Sequence, residues 1–395
     1  LVVAGAVWLV KTESGFALLA GQAEKRLPEL LGHELQITDP TGSVWDGFQV
    51  GRIVWSDGTT RAELTRLDLA VEWRDLMQDT LSVKWLKLES VTVAVSESLP
   101  DPKARLEMPA SIELPLAVNV RSLQVSSLVF NEMEITGIDL AAVSSRDQVD
   151  LQRLVFNHRM ARVEANALLG LAQPFPINST AKAQSLVDGD LILQARVNAS
   201  GNLDALNVSV RAVGSQASKP TRQQELQADL TLTPFRPAPV QSVNASAKQF
   251  DPSKWLEGLP SAQLDLNAQL TPNADLTASK GQLKLSNSRP KALPDGGIPV
   301  RSLSSRFSVE LSEGMPVSAT VNVDDLKLAV DDTSMGQARG QIQWKAGDKP
   351  LSPSHLGLAQ FDLKATQIRA SAFLTTHYGV VFDVVSTGQY RGTEV

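Results

Sequence analysis

The chain has no cysteine among its 395 residues. That excludes a disulfide framework, a thiolate metal site and a cysteine nucleophile at once. Aromatic residues make up only 5%, against 43% hydrophobic residues overall, so the apolar side chains are mostly Leu, Val, Ile and Ala. Such side chains line a surface without filling a thick core. The four histidines, His33, His158, His355 and His377, lie far apart and share no metal-ligand spacing. No long basic run occurs and the net charge of −6 is mild and spread out, so the electrostatic footprint of a nucleic-acid binder is missing. A G-x-S-x-G elbow, a P-loop and a G-x-G-x-x-G turn are also absent. Adjacent acids do occur, at Asp324-Asp325 and Asp331-Asp332, in turn-like settings. Neighbouring strand residues point to opposite faces, so these pairs make no shared acid-base site and read as solvated acids. No cofactor, metal or catalytic residue is expected, and the chain does not read as an enzyme.

What the chain has in abundance is alternation. Leu264-Asp-Leu-Asn-Ala-Gln-Leu270 alternates apolar and polar without a break, the pattern of a strand with one greasy and one wet face. The same rhythm runs from Leu35 to near the end, punctuated by Asp46-Gly47, Asp57-Gly58 and Asp295-Gly296-Gly297 turns. Asp39-Pro40-Thr41-Gly42 is read as a further turn. Residues 98–115 hold four prolines and read as a loop or lid, because proline does not serve a central strand. No repeat of fixed length is visible, which argues against propellers and leucine-rich arrays. Connections this short suit an antiparallel meander. The predicted fold is therefore mainly β. Roughly 25 strands spaced about 4.8 Å apart would extend on the order of 120 Å.

The N-terminus differs. Leu1 to Val10 is an apolar run too short to cross a bilayer, which needs about 20 residues. It is either a buried segment or, over residues 1–10, a truncated membrane anchor. Residues 11–34 then form an amphipathic helix, with Phe16, Leu19, Ala23, Leu27 and Leu30 at helical spacing and Pro28 expected to kink or end it. It either caps the sheet or lies at a membrane surface. Residues 35–395 are the β region.

The apolar faces of so many strands need cover. Either they pack on one another as sandwiches, or the sheet curls into an open trough that holds something apolar. For the trough, the residues expected to face inward are Val91, Val93, Val95, Leu264, Leu266, Ala268, Leu270, Leu283, Leu285, Val321, Val323, Ile342 and Trp344. Alternation says which residues share a face, not which face is inside.

Particular stretches add a family likeness. Gly42-Ser-Val-Trp-Asp-Gly-Phe48 follows a hydrophobic segment, a helix and a strand. Phe250-Asp-Pro-Ser-Lys-Trp-Leu256, with Gly258 and Pro260, stands just before the Leu264 strand. Pro174-Phe-Pro176 and Leu232-Thr-Pro-Phe235 punctuate strands. In this order they resemble the N-terminal portion of the TamB family, within the AsmA-like superfamily of Gram-negative envelope proteins. The resemblance covers most of the chain, and the family's C-terminal domain has no visible counterpart before Val395. It implies an elongated antiparallel β-groove, the β-taco or repeating β-groove. It implies a single-pass inner-membrane anchor at the N-terminus, with the bulk in the periplasm. The implied partners are phospholipid, carried between inner and outer membrane, and a TamA-like outer-membrane barrel. The implied alternative is a scaffold for assembling outer-membrane β-barrel proteins.

Overall fold

The structure is a computed structural model. It describes residues 2–31, 34–95, 108–131, 133–159, 161–186, 191–216, 219–236, 239–255, 258–273, 277–312, 315–346, 358–374 and 381–391. His33, His355 and His377 lie outside these residues, as does most of the proline-rich segment. The chain divides into two units, Leu1–Asp188 and Gly189–Val395.

The first unit opens with two helices, α1 (Val2–Lys11) and α2 (Glu13–Leu31). Thr12 separates them: its hydroxyl donates to the Trp8 carbonyl at 2.7 Å and accepts the Gly15 N–H at 3.1 Å, as an N-cap residue does. The helix α2 continues through Pro28 for three more residues rather than ending there. So close to the terminus the missing N–H removes only one of the last backbone bonds. No described helix is long and apolar enough to cross a membrane.

Nine strands follow: β1 (Glu34–Ser43), β2 (Gly47–Ser56), β3 (Thr60–Glu72), β4 (Thr80–Val95), β5 (Ala117–Phe130), β6 (Met133–Ser144), β7 (Gln148–His158), β8 (Ala161–Gly170) and β9 (Pro176–Ser185). Each pairs with its chain neighbours, antiparallel throughout except for β4 and β5. That pair is parallel, with Leu86 opposite Leu123 and Val91 opposite Leu128. The exception falls where the long proline-rich connection gives the chain room to return to the same end, as a parallel pair requires. The one turn that is not a turn is Asp39 to Gly42, which lies inside β1. Asp39 takes φ 52° without shifting the register, and Pro40 stays paired with Val50. Proline is tolerated there because β1 pairs on one side only.

Helix α2 covers the start of this sheet. Phe16 is 8% exposed and its ring lies 4.5 Å from that of Phe48 in β2. The Ile37 N–H of β1 donates to Glu24 Oε1 at 3.4 Å, so the helix also occupies part of the outer edge of the first strand. Phe16→Ala removes the anchor of this helix. It is expected to destabilise the first unit by about 3 kcal/mol, the lower end for truncating a buried Phe, measured by denaturant unfolding.

The second unit holds eleven strands: β10 (Leu191–Asn202), β11 (Ala205–Gln216), β12 (Lys219–Leu232), β13 (Val240–Phe250), β14 (Leu264–Pro272), β15 (Ala278–Asn287), β16 (Val300–Ser312), β17 (Met315–Val330), β18 (Thr333–Lys345), β19 (Leu358–Arg369) and β20 (Val381–Arg391). All neighbours pair antiparallel in chain order, and the sheet does not close. Ten spacings of about 4.8 Å give this sheet a breadth of about 50 Å.

The strands number twenty among the described residues, fewer than the alternation suggested. One reason is that a break in the alternation need not end a strand. Leu86 with Leu88 and Val91 with Val93 alternate out of phase, yet all lie in β4, whose pairing stays in register across them. Val317 to Val323 and Leu326 to Val330 both lie in β17, across a register shift between Val323 and Leu326. A bulge inserts one residue and restarts the alternation without ending the strand. The same bulge holds Asp324 and Asp325, which therefore sit within a strand rather than a turn. Four strands escaped the reading of the sequence or were only half seen: β9, β13, β20 and the start of β12. In β9 and much of β13 the apolar positions are largely Ala, which gives a weak periodic signal, and in β20 Val384 and Val385 are adjacent and break the alternation.

Candidate functional site

Register in the second unit stacks the apolar positions into continuous rows. One row runs Ala212, Leu226, Ala247, Leu266, Leu285, Leu303, Leu326, Ala338 and Ala365, each opposite the next on the neighbouring strand. A second contains Ala268, Leu283 and Val323, with Ser305 between the last two and Gly340 and Leu363 beyond. A third runs Val208, Leu230, Val243, Leu270, Gly281, Phe307, Val321, Ile342 and Phe361. Trp344 flanks this third row, opposite Ala319. Leu264 lies at the other flank, opposite Phe250 and Asn287.

The structure thus brings ten of the thirteen expected residues onto one face: Leu264, Leu266, Ala268, Leu270, Leu283, Leu285, Val321, Val323, Ile342 and Trp344. Leu264 is buried and the other nine are half-buried. Val91, Val93 and Val95 belong to the first unit. Val91 stands between Leu64 and Leu128 and is half-buried, as is Val93 between Ala62 and Phe130. Val95, opposite Thr60, is 37% exposed at the end of β4. They extend an apolar row there that includes Ile37, Ile53, Leu64, Val91, Leu128 and Ile135. The rows also recruit residues that sequence reasoning did not single out, notably Leu226, Leu230, Leu303, Phe307 and Phe361. Only pairing register shows that these lie beside Leu266 and Leu270.

The opposite face is polar across the same strands. Asp229, Asn244, Gln269, Gln282, Arg306, Asn322, Gln341 and Asp362 stand opposite one another in a single row. Gln282 Nε2 donates to Gln269 Oε1 at 2.7 Å and Gln341 Nε2 to Asn322 Oδ1 at 2.9 Å. Arg306 donates to both oxygens of Asp324, at 3.0 and 2.7 Å. That hydrogen-bonded guanidinium holds the Asp324 carboxyl below its ordinary value. A carboxyl held low in the folded state adds stability at neutral pH. That contribution disappears as pH falls from about 4 through the lowered value. The melting temperatures of wild type and Asp324→Asn are accordingly expected to differ slightly at pH 7, and to converge in stronger acid. High salt shrinks the difference, because the pair is exposed.

A water-facing side and an apolar side, separated strand by strand, leave the apolar rows only half covered by the protein itself. Local plugs occur at one end. The turn Ala370–Ala372 brings Ala372 onto Leu328, Met335 and Ile368, the one buried cluster of this unit among the described residues. Nor does any group of three or more His, Asp or Glu among those residues suit a metal ion.

These features define a class of protein: a mainly β chain of two units, each a sheet of strands paired in chain order, the first opening with two short helices. The chain belongs to the TamB N-terminal domain family, whose pattern it matches over residues 2–140 and 104–236, together more than half of its length. It is thus a TamB-type protein, of a class concerned with lipid transport or with assembly and anchored at the inner membrane. No curated protein and no solved structure matches it.

Proposed function

We propose that the apolar face is a wall along which phospholipid acyl chains travel, and that the chain moves lipid between inner and outer membrane without catalysing a reaction. The observation that carries this reading is the row through Leu266, apolar from Ala212 to Ala365, with the mainly apolar rows through Ala268 and Leu270 beside it, half-covered and backed by a polar face. Each methylene in water costs about 0.8 kcal/mol, so a 16-carbon chain costs on the order of 12 kcal/mol. A continuous wall removes much of that cost at every step. Leu, Val and Ala at uniform depth form no deep pocket to stall a chain. At a breadth of about 50 Å, the second unit alone exceeds the roughly 15 Å of half a bilayer core severalfold.

On this reading the N-terminal helices face the inner membrane, the sheet occupies the periplasm, and an outer-membrane barrel of the TamA type receives the cargo. Assembly of barrel proteins through added strands is the competing role. It requires a free sheet edge, and Glu24 already occupies one of the outward N–H groups of β1. Photocrosslinkers at Leu266 and Asn267 test the wall directly. Lipid is expected on Leu266 and not on Asn267. Capture at Asn267 alone inverts the assignment of faces, and capture at neither removes transport from this stretch.

A further inference from the structure

The rows of the second unit are bordered, on the Leu264 side, by two connections that lock together. In the first, α3 (Pro252–Trp255) folds back over the sheet. Gln224 is 8% exposed and shares a face with Leu226 two residues on. Its Oε1 accepts the Asp251 N–H at 3.0 Å and the Trp255 indole N–H at 2.8 Å. Asp251 Oδ1 accepts from the Ser253 N–H, the Ser253 hydroxyl and the Ala262 N–H, at 3.2, 2.8 and 3.2 Å. In the second connection Asn287, 1% exposed, accepts from the Gln263 and Arg289 N–H groups at 3.1 and 3.0 Å and donates to the Ile298 carbonyl at 3.1 Å. The Ser261 N–H bonds the Gly296 carbonyl at 2.8 Å.

Between the two connections lies a polar cleft of about 240 Å³, lined by Gln224, Gln249, Asp251, Gln263, Arg289 and Lys291, among others. Its charges are unspent. Neither Arg289 nor Lys291 forms an ion pair with a described residue. Asp251 keeps one oxygen without a partner among the described residues. A second cleft of this unit, beside Leu328 and Ala329, differs in this respect. There Arg301 is held by Asp332 at 3.1 Å and Lys327 by Asp325 at 3.5 Å. A rigid cup with two free cations and one free carboxylate oxygen matches a zwitterion carrying a phosphate and an ammonium. A cleft of about 240 Å³ admits a small polar head group.

We infer that this cleft receives the phosphoethanolamine head of a phospholipid, phosphate on Arg289 and Lys291 and ammonium on Asp251. The acyl chains lie on the rows beside it, past Leu264 at their flank and onto Leu266. The inference rests on the reading of those rows as an acyl wall.

The test uses the full chain and vesicles carrying a photoreactive acyl chain on phosphatidylethanolamine, phosphatidylglycerol or diacylglycerol. Wild type is expected to capture phosphatidylethanolamine best. The R289Q/K291Q double variant is expected to lose about tenfold of that capture while holding diacylglycerol as wild type does. Asp251→Asn retains the Oδ1 acceptor, so the connection stays folded, and it is expected to erase the preference for phosphatidylethanolamine over phosphatidylglycerol. Unchanged capture by R289Q/K291Q overturns the proposal, as does an equal loss for diacylglycerol. Soluble phosphoethanolamine binding as tightly as the lipid, measured by calorimetry, overturns it in favour of a free phosphate ester. Failure of the wall itself shows separately, as wild type that captures no diacylglycerol.

Discussion

Replacing Leu266 by glutamate is expected to reduce lipid capture at that point of the sheet about 100-fold, while the fold survives. Leu266 lies mid-row, between Ala247 and Leu285, and is half-buried. With the face empty, a glutamate there reaches water. The lost burial then costs folding only about 1–2 kcal/mol. An acyl chain laid over it has to strip water from the carboxylate or force it to take up a proton. Either adds on the order of 3 kcal/mol to that step, and every 1.4 kcal/mol is tenfold. Asn267→Glu, one residue on and on the polar face, is the control and is expected to change nothing. Acidification should restore part of the capture in Leu266→Glu, because covering the carboxyl raises its pKa and the neutral form then prevails. A scaffold that acts through backbone pairing, or a plain spacer, would work normally despite the Leu266→Glu substitution. Normal envelope function in that variant would count against the wall.

The largest expected effect on stability is at Gly336. Its φ is 116°, a conformation that side chains rarely adopt, and it sits in β18 opposite Leu328. A Cβ there would stand 2.7 Å from Ile368 Cδ1 and 2.8 Å from the Gln367 carbonyl oxygen. Ile368 belongs to the buried cluster with Leu328 and Met335, and the carbonyl is backbone, so neither moves aside cheaply. Gly336→Ala combines backbone strain of about 1–3 kcal/mol with this overlap. A loss of about 3 kcal/mol or more is expected in denaturant unfolding. Gly21→Ala makes the natural comparison, since nothing lies within 4 Å of its Cβ position and helix propensity favours alanine. A Gly336→Ala protein as stable as wild type would mean that β18 and β19 do not meet there as described.

Periodicity in the chain was enough to establish a great deal. The alternation from Leu264 to Leu270 specifies a strand with one apolar face whatever it pairs with, because side-chain direction in a strand has a period of two. It likewise marks Leu283 with Leu285 and Val321 with Val323. Composition was equally direct: without cysteine, thiolate chemistry is excluded under any fold. The order of the short motifs pointed to the family that the match over residues 2–236 establishes.

Other features belonged to the tertiary structure alone. Whether Leu266 meets Leu285, and Leu285 meets Leu303, depends on the register between consecutive strands. Register is set by turns and bulges such as Gln249 and Gln367, at φ 50° and 55°, which look like any polar residue in the sequence. The parallel seam between β4 and β5 is invisible for the same reason, since local alternation is identical in both directions. So is the cleft of Gln224, Asp251, Arg289 and Lys291, whose members are collected from one strand and two connections and share no motif. A one-residue pattern determines which way a side chain points. Only the register between paired strands decides what stands beside it, and hence that scattered leucines become one wall.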